Sequence, residues 1–141
     1  ITQKLITTGI RYFEVFGDFE GEYMAAKSTE IITAKRTEFS IKALLPILNS
    51  NVVFFFLKEA YGGMAMGGGI TFSPDNLSKI PLPKVDELKL KALEELTDRY
   101  QMNFDAGKQD ELDKFMYLLY GLDEFDISTI EEFKIRTKRK R

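Results

Sequence analysis

The chain has 141 residues, with 20 Lys and Arg against 22 Asp and Glu and no cysteine or histidine. That length supports one domain with a real core. The missing cysteines exclude a disulfide framework and thiolate chemistry. The missing histidines remove the commonest general base and the usual zinc ligands, so any catalysis must use carboxylates, lysine or tyrosine.

Taken in chain order, the first third reads as β structure. Lys4 to Thr8 and Ile10 to Phe16 carry β-branched and aromatic residues, broken by Gly9 and Gly17. Asp18 to Gly21 is turn-like, and Thr29 to Ala34 is a further strand, with antiparallel pairing through short turns as the simplest arrangement. Ser40 is placed to cap a helix over Ile41 to Leu48, shortened or kinked by Pro46. Asn49-Ser50 marks a break before a second helix from Val52 to Tyr61, although Val52 to Phe56 also has strand propensity. Gly62 to Gly69 holds five glycines in eight positions. Ile70 to Ser73 reads as a short strand and Pro74 to Lys79 as a turn or single helical turn. Lys79 to Pro83 must be extended, because each proline disfavours the helical region for its predecessor. From Asp86 the pattern is helical. Leu93, Leu96, Tyr100 and Phe104 recur at three- and four-residue steps until Gly107 stops the run. Leu112, Phe115, Met116 and Leu119 mark the next helix, closed by Gly121. Ser128 and Glu131 form a capping box for a last helix carrying Ile130 and Phe133.

Charge is unevenly distributed. Residues 1–83 hold eight basic and eight acidic side chains, residues 84–133 hold six and fourteen, and residues 134–141 hold six and none. A nucleic-acid partner is therefore expected against the neutral N-terminal part and the basic tail, with the acidic helical part facing away. The longest apolar run, Val52 to Leu57, is far short of the ~20 residues that span a bilayer. Signal-peptide features are missing at the N-terminus, and the cysteine-free composition fits a cytoplasmic, reducing setting. A first residue of Ile1 rather than Met suggests a fragment of a longer protein.

The order of these parts resembles a known family. "LLPILNSNVVFFF" (Leu44 to Phe56) is similar to the helix pair of TaqI-like C-terminal specificity domains, and "GITFSPDNLSKIPLP" (Gly69 to Pro83) to the segment that follows it there. The second stretch is also similar to one preceding the long helix of type I restriction specificity subunits. "LDKFMYLLYGLDEFDISTIEEF" (Leu112 to Phe133) resembles the C-terminal helical pair, and Ile10 to Lys35 resembles the N-terminal sheet more loosely. The resemblance implies a target-recognition domain of a type II restriction enzyme or N6-adenine DNA methyltransferase. Its partners would be double-stranded DNA and a methyltransferase domain of the same polypeptide. S-adenosylmethionine, and in some enzymes Mg²⁺, would serve that parent enzyme, which acts on a flipped adenine. The Asn-Pro-Pro-Tyr/Phe motif is absent from this chain, so the fragment is expected to recognise without catalysing, with no cofactor of its own.

On this reading Arg11, Lys27, Lys35, Arg36 and Lys58 are candidate phosphate or guanine contacts, Lys42 joins them as a further cation, and Tyr23 and Tyr61 can bond phosphate or stack, as can Tyr12. Gly63, Met64, Met66 and Gly68 lie in the glycine-rich stretch, where missing side chains let backbone amides approach DNA. The plainer alternatives are solvated surface charge, sheet packing and a flexible connector. Pro74-Asp75 followed by Glu87-Leu88-Lys89 also matches a metal-dependent nuclease pattern, which needs both carboxylates and the lysine on adjacent strands. A further alternative is a helical protein–protein interaction domain without a nucleic-acid role. The expected architecture is α+β, a single domain of 141 residues. A small, mostly antiparallel sheet, a helix pair and recognition loops occupy 1–83, helices occupy 84–133, and 134–141 forms a basic tail.

Overall fold

A computed structural model of the chain describes residues 3–7, 15–21, 30–32, 40–61, 74–100 and 106–137. Its first part is a three-stranded antiparallel sheet, ordered β2-β1-β3, built from β1 (Lys4–Thr7), β2 (Val15–Asp18) and β3 (Glu30–Ile32). Register sets Leu5 opposite Gly17 and Ile32, and Ile6 opposite Phe16. Period-2 alternation then sends Leu5 and Val15 into the core while Phe16 stays exposed. Lys4 and Asp18, paired across the end of the β1–β2 ladder, form a shielded ion pair.

Gly17 does not break the strand, as its glycine identity had implied. β2 runs through it to Asp18. A Cβ at Gly17 would lie 2.5 Å from the ring of Phe19, so the glycine leaves room for an aromatic ring folded against the strand. Gly21, after β2, lies in the left-handed region at φ 71°.

Six helices follow among the described residues: α1 (Ile41–Leu48), α2 (Asn51–Tyr61), α3 (Pro74–Ser78), α4 (Glu87–Tyr100), α5 (Ala106–Leu119) and α6 (Glu124–Thr137). The chain is thus α+β, with its small sheet in the N-terminal part and its helices mostly in the C-terminal part. Ser40 caps α1 through its Oγ, which accepts from the Ala43 N–H at 3.1 Å. Asp86 caps α4 by accepting from Lys89 N–H at 2.8 Å. Between α3 and α4 the chain is extended past Pro81 and Pro83, as X-Pro sterics require. Gly107 lies in the first turn of α5 rather than ending the preceding helix. Gly121, at φ 64°, ends α5 in a Schellman turn, with Leu122 N–H donating to Tyr117 O and Gly121 N–H to Leu118 O.

The α6 cap also differs from expectation. Asp123, not Ser128, forms the box: Asp126 N–H donates to Asp123 Oδ1 at 2.8 Å and Asp123 N–H to Asp126 Oδ2 at 3.4 Å. An aspartate pair one turn upstream serves the same orphan amides, so Ser128 falls inside the helix.

α1 packs against the sheet on one side and, most extensively of all helix pairs, against α4 on the other. α2 packs on α5 and α6, and Phe54 and Phe55 of α2 both meet Phe133 of α6, with ring centroids 5.4 and 5.3 Å apart. No single helix among the described residues is long and apolar enough to cross a membrane; α1 and α2 pass such a test only together, and they are bent by 64°.

Pro46 explains one of the α1–α4 links. Inside α1 it has no N–H to give to the carbonyl of Lys42. The hydroxyl of buried Thr97, from α4, donates to that carbonyl instead at 2.6 Å. The same seam is tied by Ser40 Oγ donating to Glu94 at 2.8 Å and by the Lys42–Asp98 ion pair. Thr97→Val keeps the shape and deletes the donor, so it should destabilise the fold by about 1–3 kcal/mol. In a Pro46→Ala background the helix regains its own N–H, and the cost of Thr97→Val should shrink. Urea denaturation of the four-member cycle checks this; additive costs would refute the compensation.

Candidate functional site

The turn between α1 and α2 gathers more buried polar side chains than any other described region. Asn49, Ser50 and Asn51 are all buried. Asn49 turns its amide onto the outer edge of β2, accepting from Val15 N–H and donating to Val15 O, each at 2.9 Å. It thereby pairs with an edge strand as a neighbouring backbone would. Ser50 caps α2, accepting from Val53 N–H at 3.3 Å while donating to Ile47 O at 2.7 Å. Asn51 gives its backbone N–H and its side-chain amide to the two oxygens of Asp113 on α5, at 2.8 and 2.7 Å.

Asp113 is wholly buried and stands at the N-terminus of α2, where unpaired amides and the helix dipole favour an anion. Gln109, one turn earlier on α5, donates to Asp113 at 3.2 Å and to Asn49 O at 3.1 Å. Lys134 of α6 completes the charge balance, with Nζ 3.2 Å from Asp113, 2.9 Å from Glu131 and 3.2 Å from Asp110. The network joins the sheet edge, the α1–α2 turn, α5 and α6. Its arrangement holds elements together and offers no activated nucleophile.

The sequence-predicted contacts fall mostly elsewhere. Arg11, Tyr23, Lys27, Lys35, Arg36, Gly63, Met64, Met66 and Gly68 lie outside the described residues, as do Tyr12 and the strand expected at 70–73. Lys58 and Tyr61 lie in the last turn of α2, directly before residues 62–73. Tyr61 is half-buried, its ring edge-on to Phe56 at 6.3 Å, so its body packs. Lys42 is engaged by Asp98.

Lys79, which sequence reasoning did not select, follows α3 on the far side of residues 62–73. Its ammonium is 3.1 Å from Asp75, and its pKa is raised by the hydrogen bond to Asp75, by that carboxylate's charge and then by Tyr61. Tyr61 thus ends the described helix before the glycine-rich stretch, and α3 and Lys79 follow it. A lysine immediately preceding an Ile-Pro pair at the far end of a glycine loop was the available signal. Asp75 sits on α3 and Glu87 and Lys89 on α4, so the adjacent strands that the nuclease pattern requires are not what these residues form. Among the described residues no group of three or more acidic side chains is arranged to hold a metal ion.

No family model matches the chain, and no curated protein matches it either.

Alkaline pH should expose the cost of this network. Burial opposes the charge on Lys134, but Glu131, Asp113 and Asp110 outweigh it and hold its pKa above the ordinary 10.5. Burial likewise pushes the phenols of Tyr117 and Tyr120 above their ordinary 10.0, and Tyr120 also donates to Pro81 O at 2.7 Å. All three groups have a folded-state pKa above the unfolded value, so their contribution is intact below the unfolded values and is lost as pH climbs through the folded ones. Urea midpoints should be level from about pH 8 to 9.5 and fall steeply above about pH 10.5. A decline already under way at about pH 9 would contradict the assignment.

Proposed function

We propose that this chain is the DNA target-recognition part of a restriction–modification enzyme or a related N6-adenine DNA methyltransferase. Side chains from the N-terminal half read base edges in the major groove, while cations set register on the phosphates. The methyl transfer belongs to a methyltransferase domain of the parent polypeptide, which binds S-adenosylmethionine and works in the cytoplasm.

The observation that carries this reading is where α2 ends and α3 begins, on either side of residues 62–73. Lys58, Tyr61 and Lys79 flank the glycine-rich stretch that the resemblance assigns to the DNA side. Helix charge supports it as well: residues 84–133 hold fourteen acids, several of them engaged by Lys42, Arg99 and Lys134, which suits a face turned away from phosphate. A helical protein-interaction module without nucleic-acid binding is the second reading. An apolar groove between α2 and α6 favours it.

The test is selection of this chain against a randomised duplex pool at low and moderate salt, followed by sequencing of the retained DNA. One short enriched motif is expected, lost on replacing Lys35 and Arg36. Each phosphate contact removed should lower the logarithmic salt slope by about 1. Salt-sensitive binding without enrichment would show that readout needs the methyltransferase domain. Failure to bind at low salt would overturn the reading in favour of the interaction module.

A further inference from the structure

Between α2 and α6 lies an open groove of about 670 Å³, within the roughly 300–1,000 Å³ range of built binding sites. Phe55, Phe56 and Ala60 of α2 form one wall, Ile130 of α6 the other, and Pro81 and Leu122 close the floor. Phe125 stands at the lip with 78% of its surface exposed, an unusual setting for a phenylalanine. The groove is continuous with the core: Ile130 belongs to the core cluster, and Phe55, Phe56 and Leu122 pack against it while keeping part of their surface open.

Its rim has one sign of charge. Among the described residues, Glu59 and Asp126 are the charged side chains lining the groove, and both are exposed. Exposed Glu124 precedes Phe125 in the first turn of α6. Two helices flank the opening, and few polar groups line it that would orient a small molecule. That form suits a third helix laid between the two. A second copy presenting the same face would set acid against acid, whereas lysines and arginines beside the apolar anchors of an incoming helix meet Glu59 and Asp126 directly.

We propose that the α2–α6 groove is a docking site for a basic amphipathic helix of a partner protein, with Phe125 as its anchoring contact and Glu59 and Asp126 as its charge selectors. The site uses Glu59 and Ala60 of α2 rather than Lys58 and Tyr61, and it does not depend on the DNA-recognition reading.

The experiment pans the whole chain against a displayed library of helical peptides of about 15 residues. Binding of enriched sequences is then measured by fluorescence anisotropy. Enriched peptides should carry large apolar residues at i, i+4 and i+7 with a net positive charge. Glu59→Lys combined with Asp126→Asn, which keeps an acceptor for the α6 cap, should weaken them about tenfold or more, and more so at low salt. Phe125→Ala should weaken them at least about threefold without moving the urea midpoint, since the ring is exposed. No enrichment, enrichment of neutral or acidic peptides, or affinity indifferent to these substitutions would overturn the proposal. So would self-association of the chain that Phe125→Ala abolishes, which would assign the groove to a second copy.

Discussion

Three consecutive polar side chains, Asn49, Ser50 and Asn51, tie the sheet edge, α2 and α5 to one turn. They occupy the 64° bend between α1 and α2, and each reaches a different part of the fold. Asn49 holds the sheet edge at Val15, Ser50 starts α2, and Asn51 reaches Asp113 on α5. A neutral hydrogen bond of this kind nets only about 1 kcal/mol, but a buried partner left unsatisfied costs about 1–3 kcal/mol. Removing one member of the buried Asp113–Lys134 pair is costlier still, on the order of 3–5 kcal/mol. The turn therefore specifies geometry more than it adds net stability, because the alternatives strand polar groups in the core.

Once the bend is set, α2 projects from it as a fixed lever. Its buried face carries Val53, Phe54 and Leu57 into the core between α5 and α6. About 15 Å further along, its last turn carries Lys58 and Tyr61 to the start of the glycine-rich stretch. The side left uncovered forms the apolar groove with α6. One helix thus serves the core, the approach to the glycine-rich stretch and an open surface, and the bend at its start sets all three.

Much of the architecture was legible in the chain. Ser40 as cap, the helix from Ile41, the single turn at Pro74 and the extended run through Pro81 and Pro83 follow from local chemistry, and the structure keeps them. Periodicity found α4 and the buried Leu112 and Met116 of α5. What failed was punctuation. Gly17 and Gly107 look like breaks, but Gly17 leaves room for the ring of Phe19 within the strand and Gly107 is carried in the first turn of a helix. Ser128 and Glu131 match a capping box, yet Asp123 and Asp126 match one too, and the helix starts at the earlier pair. The site was less legible than the fold. Asn49 and Ser50 were readable as a break but not as a hub, because Val15, Gln109, Asp113 and Lys134 are distant in sequence. Lys79 was hidden for the same reason. Most of the predicted DNA contacts fall outside the described residues, so resemblance alone supports them.

Native-state hydrogen exchange shows whether one polar turn couples the sheet to the helices. The Val15 and Asn51 amides are each bound by a side chain of this network, at 2.9 and 2.8 Å. Both should exchange only through global unfolding, with the same free energy and denaturant dependence as the core amides of α2 and α5. Exchange of Val15 through a smaller opening, while α2 and α5 stay protected, would show that the sheet is held independently and contradict the account.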